Sequence, residues 1–258
     1  MARLELPEHD IVGIRAGNPG PFTLSGTNSW VVGRGSVWVV DPGPALDDHM
    51  AALWDYITRR GELEGIVLTH DHADHAEAAR AVRAPYPNAP IAAARGEVDI
   101  ELTDGQTIGP FEVMATPGHA ADHLAYLAGT VAFTGDAVLG EGSVFVSPYP
   151  GSLAAYLDGL SRLKARHLSV LCPGHGPVVD DPQTKLQQYI SHRLDRERRL
   201  LVALTNGKRT VDELLDEVWS DAPPQLRPAA TVTLAAHLDK LDDEGRLPAG
   251  VERPTLRF

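Results

Sequence analysis

Residues 69–75 place three histidines and two aspartates within seven consecutive positions. His70 and His72 are two positions apart, so in an extended segment both rings leave the chain on the same side and can converge on one metal ion. Asp74 and His75 follow and can point at a second position nearby. Imidazole and carboxylate are ligands that zinc and similar divalent ions prefer. The spacing therefore predicts a metal site rather than a polar loop whose histidines form only local hydrogen bonds.

The segments on either side of this cluster indicate how the fold would present it. Residues 65–68 are apolar and predict a buried strand. Residues 73–84 are rich in alanine with spaced charges and predict a helix. The cluster is then expected at a strand end, on the loop that enters a helix, which is where α/β architectures build their sites.

Further candidate ligands stand later in the chain, in short motifs that follow or end apolar runs. His119 ends a Thr-Pro-Gly-His motif, Asp136 ends a Thr-Gly-Asp motif, and His175 ends a Cys-Pro-Gly-His motif. An earlier aspartate, Asp41, follows the apolar residues 37–40. Together with residues 69–75, these motifs resemble the signature of the metallo-β-lactamase fold superfamily. The resemblance implies an α+β fold in which an αββα sandwich carries the site.

The resemblance also implies two divalent metal ions. We expect zinc, with manganese or iron as alternatives that suit the same ligands. Two ions that share a bridging water make hydroxide available near neutral pH. Asp74 is expected to orient that water and relay its proton, while Asp136 fixes the spacing of the ions. The implied ligands are His70, His72 and His119 for one ion, Asp74, His75 and His175 for the other, and Asp136 as the bridge.

The character of the chain changes after about residue 180. Helices are predicted from Pro182 to Leu204, from Thr210 to about Trp219, and from Thr231 to Glu244, and residues 246–258 are expected to form a small hairpin. Three helices and a hairpin are the order of a winged-helix module. We therefore expect a catalytic domain over residues 1–182 and a winged-helix-like domain over residues 183–258. Such a module binds nucleic acid or packs beside the catalytic domain.

Several segments narrow the resemblance further. The β-lactamase-like protein 2 group has similar segments at residues 18–28, 116–123, 135–142 and 190–193. Together with the winged-helix-like residues 183–258, the similarity runs nearly end to end. Animal members of that group are mitochondrial endoribonucleases that act on single-stranded RNA. The resemblance thus implies hydrolysis of RNA. His192 and Arg193 would then contact phosphate, or they form a simple helix-surface pair.

Charge points toward a different substrate. The formal net charge is −12, and the acidic excess lies in residues 1–182, because residues 183–258 carry equal numbers of acidic and basic residues. An acidic catalytic domain suits a small ester or thioester, as in hydroxyacylglutathione hydrolases, better than a polyanion. Hydrolysis of a lactam or lactone is a weaker alternative. A hypothesis from a different functional class is a non-catalytic, metal-containing protein that binds nucleic acid or another partner.

Composition sets the remaining expectations. One cysteine, Cys172, excludes an intramolecular disulfide and is expected to be a small apolar residue at a strand end. No secretion signal is visible at the N-terminus, and no apolar run approaches the roughly 18 residues of a membrane span. We therefore expect a cytoplasmic protein without membrane contact, whose oligomeric state the sequence leaves open.

Overall fold

The computed structural model describes residues 4–256 and arranges them in four layers. Two β-sheets face each other, and helices cover the outer face of each sheet. Trp30 of one sheet packs against Phe133 of the other, and Phe133 contacts Phe111 in a second edge-to-face pair. These rings lie in the apolar layer between the sheets. The predicted α+β sandwich is confirmed.

The first sheet begins as an antiparallel meander and continues as parallel strands. The strand order along the sheet equals the order along the chain. Within the described residues its strands are β1 (Leu4–Leu6), β2 (Ile11–Arg15), β3 (Asn28–Val32), β4 (Gly35–Val40), β5 (Gly61–Val67), β6 (Ile91–Ala93) and β7 (Ile100–Glu101).

The second sheet is antiparallel except at one edge, where β12 runs parallel to β11. Its order is β12-β11-β10-β9-β8. Over the described part of the chain its strands are β8 (Thr107–Ile108), β9 (Phe111–Ala115), β10 (Leu124–Ala128), β11 (Val131–Gly135) and β12 (Val170–Pro173).

The helices divide between the two outer layers and the C-terminal unit. Helices α1 and α3 cover the first sheet, α4 and the start of α5 cover the second, and α6 and α7 pack against the end of α5. Among the helices of residues 4–256, none is both long and apolar enough to cross a membrane. The helices are α1 (Asp47–Arg60), α2 (Ala73–Ala76), α3 (Ala79–Arg83), α4 (Ser152–Lys164), α5 (Pro182–Thr205), α6 (Val211–Val218) and α7 (Arg227–Asp243).

The helix predicted after the metal-ligand cluster is interrupted. Two short helices, α2 and α3, replace the continuous helix expected over residues 73–84. The Ala78 N–H donates to the carbonyl oxygen of Gly43 rather than to the helix, and Gly43 N–H donates to the carbonyl of His75. These two bonds tie the helix entrance to the loop after β4. The helical ladder is therefore broken where the candidate site is anchored.

The C-terminal unit has the three predicted helices but not the predicted hairpin. Thr210 and Glu213 form the expected reciprocal capping box at the start of α6. Described residues 246–256 contain no strand, so that expectation is wrong as far as the structure describes the segment; residues 257–258 lie outside it. Arg253 instead forms ion pairs with Asp239 and Asp242 on α7. This segment is held by these ion pairs and by a backbone bond from the Glu252 N–H to the Arg209 carbonyl at 2.8 Å, without a strand ladder.

Helix α5 joins the two hydrophobic cores. Leu186 and Tyr189 near its start pack into the core beneath the second sheet. Leu200 and Leu204 near its end belong to the core of the C-terminal helices. The domain boundary at residue 182 stays a prediction, and one continuous helix places the C-terminal unit against the catalytic layers.

Candidate metal centre and cleft

Strand ends deliver every candidate ligand to one edge of the sandwich. Residues 69–75 follow β5, and His119 lies on the loop between β9 and β10. Asp136 directly follows β11, and His175 follows β12. The structure brings together all seven residues that the sequence nominated as metal ligands.

Three overlapping groups of ligand atoms form within this cluster, and one of them joins His70, His75 and Asp136. His70, His72 and His119 make one group, and Asp74, His75 and His175 make another, with ligand atoms within 4.8 Å of one another in each. In the first group, His119 Nε2 lies 3.2 Å from His72 Nδ1. In the second, His175 Nε2 lies 3.3 Å from both His75 Nε2 and an Asp74 carboxylate oxygen.

Asp136 lies between the other two groups. Its Oδ1 is 3.3 Å from His175 Nε2 and 3.5 Å from His75 Nε2. Its Oδ2 is 3.6 Å from His119 Nε2. One carboxylate thus faces both groups with different oxygens, which is the placement a bridging ligand requires. The assignment of individual ligands to ions stays a prediction.

Hydrogen bonds on the far side of four imidazole rings prepare Nε2 for a metal. In each case Nδ1 lies against an oxygen, so in the neutral ring Nδ1 carries the proton and the Nε2 lone pair faces the cluster. The oxygen partners are Thr69 Oγ1 for His70 at 3.0 Å, Asp41 Oδ2 for His75 at 2.9 Å, the Phe145 carbonyl for His119 at 3.4 Å and the Gly26 carbonyl for His175 at 3.5 Å.

The cluster contains buried polar atoms that the protein leaves without a hydrogen bond. His70 Nε2 and Asp136 Oδ1 are two of them. Buried polar atoms are normally satisfied, and a cation would satisfy both because a nitrogen lone pair and a carboxylate oxygen are metal-binding atoms. The donor set, five imidazoles with two carboxylates, suits zinc, manganese or iron. These residues therefore fit a site for divalent metal ions.

Electrostatics separate the imidazoles into two kinds. Burial lowers the pKa of His70 well below its usual value and lowers that of His119 to about 4. Burial opposes the charged form of His175 as well, but the Asp136 and Asp74 carboxylates outweigh it and raise its pKa to about 9. The Asp136 and Asp41 carboxylates likewise raise the pKa of His75 against the effect of burial. The second group thus attracts protons when no metal competes for it.

Asp41 anchors the loop of residues 69–75 but belongs to none of the groups of candidate ligands. Its two carboxylate oxygens accept from the Thr69 N–H and the Thr69 hydroxyl, each at 2.7 Å, and the second oxygen also accepts from His75. The residue is 1% exposed. Its side chain therefore fixes both the loop and the orientation of one candidate ligand.

His123 has a related supporting role. Its Nε2 accepts the backbone N–H of Asp136 at 3.1 Å, and its Nδ1 lies 2.8 Å from Thr116 Oγ1. Burial lowers the pKa of His123 to about 3, so the ring is neutral and can accept that bond. These bonds make His123 a support for the Asp136 backbone.

Sequence reasoning missed Arg95, which lies on the loop after β6. Its guanidinium pairs with Asp71 at 3.2 Å and with Asp122 at 3.3 Å. Asp122 in turn accepts the Asp71 N–H at 3.1 Å. Arg95 therefore ties the loop of residues 69–75 to the loop that carries His119. No local motif marks an arginine for such a contact across two loops.

The ligand cluster opens into a cleft of about 570 Å³. This volume is ordinary for a site that binds a small molecule. Glu141 and the Asp221 carboxylate contribute negative charge, while most of the wall is apolar. The apolar wall consists of Pro21, Phe22, Leu24, Leu139, Val144, Phe145, Trp219, Ala222, Pro223, Leu226, Ala229 and Ala230.

His192 and Arg193, predicted to contact phosphate, both line this cleft. Arg193 is 2% exposed, and its guanidinium donates to the Ser143 hydroxyl at 3.0 Å and to the Val144 carbonyl. Burial, aided by Arg193, lowers the pKa of His192 to about 4, so that ring is neutral near pH 7. The phosphate-binding role of this pair stays a prediction.

A second arginine of α5 also lines the cleft and was missed by the sequence analysis. Arg196 donates to both carboxylate oxygens of Asp221, at 2.6 and 2.9 Å, and to the Val218 carbonyl. Its guanidinium also lies 5.7 Å from the Trp219 ring centroid. The positive charge of Arg196 is thus neutralised within the protein.

An αββα sandwich with a histidine and aspartate cluster at one edge defines a metal-binding hydrolase of the metallo-β-lactamase type. The Metallo-beta-lactamase superfamily profile matches residues 22–108 and 96–175. The Beta-lactamase associated winged helix domain profile matches residues 210–248. The chain belongs to this superfamily and is a hydrolase of it with a C-terminal winged-helix domain.

Individual relatives extend the similarity over most of the chain. Beta-lactamase-like protein 2 homolog of Caenorhabditis elegans is 32% identical over 250 residues, which cover 88% of this chain and 82% of the relative. Atrochrysone carboxyl ACP thioesterase of Aspergillus fumigatus is 32% identical over 235 residues, or 81% of this chain and 72% of the relative.

A solved structure supports the fold. A beta-lactamase domain protein from Burkholderia ambifaria superposes with a TM-score of 0.79 at 20% identity, covering 96% of this chain and 91% of that chain. The agreement extends through the C-terminal unit, because so little of either chain lies outside the superposition.

Proposed function

We propose that the protein hydrolyses a thioester whose acyl group is apolar, with a pair of divalent metal ions at the ligand cluster. The observation that carries the proposal is the cleft: the candidate metal ligands His72, Asp74, His119, Asp136 and His175 line the same cavity as a largely apolar wall. A scissile bond at the cluster would place the attached group against that wall.

The charge of the cleft supports an uncharged acyl group. Arg196 is paired with Asp221, and the Arg193 guanidinium donates to the loop at Ser143 and Val144. Glu141 and Asp74 add negative charge to the lining. A polyanion would meet the Glu141 carboxylate there and an Arg196 already paired with Asp221, which opposes binding of a phosphate backbone.

Asp74 and His123 would have separate roles in the proposed hydrolysis, beside the metal ions. Divalent ions held by the ligand cluster would supply Lewis-acid activation of water and of the scissile carbonyl. The Asp74 carboxylate lines the cleft and is held by the Thr27 hydroxyl at 3.3 Å. Burial raises its pKa, but the hydrogen bond to His175 and the charges of His75 and His175 together outweigh burial, so the pKa is lowered. It is therefore ionised and placed to hold and orient a water. His123 fixes the backbone of Asp136 through the bond at 3.1 Å.

A relative adds support from outside the geometry. The Aspergillus fumigatus protein is named for a thioester of an acyl carrier protein, and it shares 32% of its aligned residues with this chain. Thioesters of that kind join an acyl group to a thiol, so their hydrolysis needs an activated water and a place for the acyl group. The cluster and the cleft described above would supply these two parts.

Hydrolysis of single-stranded RNA is the second candidate. It is favoured by Phe22, which is 59% exposed at the rim of the cleft beside Phe145 and offers a ring on which a base could stack. RNA as a partner, the role of His192 and Arg193 toward phosphate, and a cytoplasmic location all stay predictions.

The test compares both substrates on one preparation. Zinc- or manganese-loaded protein is given an octanoyl thioester of N-acetylcysteamine in one arm, with thiol release as the readout, and a labelled single-stranded RNA in the other. Asp136→Asn should abolish the activity that belongs to the cluster, while Asp158→Asn, an exposed carboxylate on α4, should not alter it. Thioester turnover that Asp136→Asn removes supports the proposal. RNA cleavage alone, also lost in Asp136→Asn, refutes it in favour of the second candidate.

A further inference from the structure

The C-terminal unit supplies part of the wall of the cleft into which the ligand cluster opens. Ala222 and Pro223 precede α7, Leu226 lies at its entrance, and Ala229 and Ala230 lie in its first turns. All of these side chains are apolar and most are small. The wall therefore leaves space where larger residues would fill it.

Trp219, the one large ring in this wall among the described residues, is not a free stacking surface. It is 8% exposed. Arg196 lies over the ring at 5.7 Å, and the His237 ring meets it edge-on at 5.9 Å. The tryptophan is therefore part of the support beneath the wall, and the alanines beside it define the open volume.

Arg193 gives an independent sign that this cavity holds a ligand. It lines the cleft, it is 2% exposed, and its Nε has no hydrogen-bond partner in the protein. A buried donor without a partner costs stability unless something satisfies it. An oxygen of a bound acyl compound is a group that could do so.

We propose that the start of α7 is the specificity-determining wall of the enzyme and sets the length of acyl chain that the cleft accepts. This inference rests on the proposed thioester hydrolysis. The acyl group would lie along Leu226 and Ala229, with its thioester at the ligand cluster. Each methylene that reaches the apolar wall should improve binding by up to about fourfold, and the gain should end where the chain meets α7.

Two substitutions on this wall test the inference in opposite directions. Ala229 is partly exposed, and Ala229→Leu projects a larger side chain into the cleft while leucine still favours a helix. Leu226→Ala removes atoms from the wall. Ala154→Leu makes the same change as Ala229→Leu at an exposed position of α4 outside the cleft and serves as the matched control. Circular dichroism and thermal unfolding establish that each variant is folded.

The measurement is kcat/KM for a series of N-acetylcysteamine thioesters from acetyl to dodecanoyl. We expect Ala229→Leu to lower the dodecanoyl-to-acetyl ratio at least about tenfold and Leu226→Ala to move the preferred length upward, with Ala154→Leu like the wild type. Ratios that stay at the wild-type value in both wall variants overturn the inference, as does an equal loss at every chain length.

A binding arm separates this inference from the proposed function. If the wild-type protein hydrolyses no thioester of the series, the proposed function fails, and the wall is judged by calorimetric binding of the non-hydrolysable S-dodecyl thioether of N-acetylcysteamine. Binding that Ala229→Leu weakens and Ala154→Leu does not would sustain the apolar wall. Absent binding, or equal binding in the two variants, would overturn it.

Discussion

Replacing Asp41 with asparagine would convert a buried carboxylate into a group with one acceptor oxygen and one donor nitrogen. The Asp41 oxygens accept from the Thr69 N–H, the Thr69 hydroxyl and His75 Nδ1, at 2.7, 2.7 and 2.9 Å. Asparagine can keep the first bond with its oxygen, but its amide nitrogen then faces the other two donors. His75 can meet that nitrogen only as an acceptor, which moves its remaining proton to Nε2.

That proton shift would fall on the nitrogen that faces the second ligand group. His75 Nε2 lies 3.5 Å from carboxylate oxygens of both Asp74 and Asp136. A protonated Nε2 cannot bind a metal, so the variant must either break the new bond or lose the ligand. Removing such an outer partner commonly lowers metal affinity about 10- to 100-fold. Loss of two hydrogen bonds to a charged group, at about 1.5–3 kcal/mol each, also lowers the free energy of unfolding by roughly 3–6 kcal/mol.

The assay for Asp41→Asn is a competition titration of zinc against a chelator of known affinity, with urea unfolding of the metal-free protein in parallel. Two binding steps are expected in the wild type, and the variant should weaken one of them far more than the other. Asp158→Asn on the exposed face of α4 controls for loss of a negative charge. Wild-type affinity for both ions in a folded Asp41→Asn protein would refute the tautomer argument.

Three other perturbations have expected outcomes. Because carboxylates raise the pKa of His175 to about 9 in the metal-free protein, loading with zinc at pH 7.5 should release protons that an indicator dye detects, and His175→Ala should release fewer. Burial lowers the pKa of His237 to about 3, so the buried neutral ring stabilises the fold fully above pH 6.5 and progressively less as the pH falls toward 3. Free energies of unfolding from urea denaturation should therefore fall by roughly 2 kcal/mol between pH 6.5 and 5, and His237→Leu should reduce this loss. Arg196→Ala leaves Asp221 and the Val218 carbonyl without their donor and should lower the free energy of unfolding by roughly 1–3 kcal/mol, measured by urea denaturation; an unchanged midpoint would contradict that contact.

Several candidate ligands could be predicted from the sequence because they stand close together along the chain. His70, His72, Asp74 and His75 stand within one loop, so their spacing along the chain already limits their spacing in space. The capping box at Thr210 is local in the same sense, since Glu213 bonds back across a single turn. Such features need no knowledge of what packs on them. The order of the later motifs then indicated the fold through resemblance.

The sequence by itself thus determined the chemistry of the site, while the tertiary structure decided its surroundings. At the interruption between α2 and α3 the Ala78 N–H bonds to Gly43, and described residues 246–256 bind α7 through Arg253 where a hairpin was expected. The wall of the cleft joins residues near position 22 to residues near position 229. Contacts between residues so far apart depend on how whole layers pack, and no periodicity or short motif encodes them.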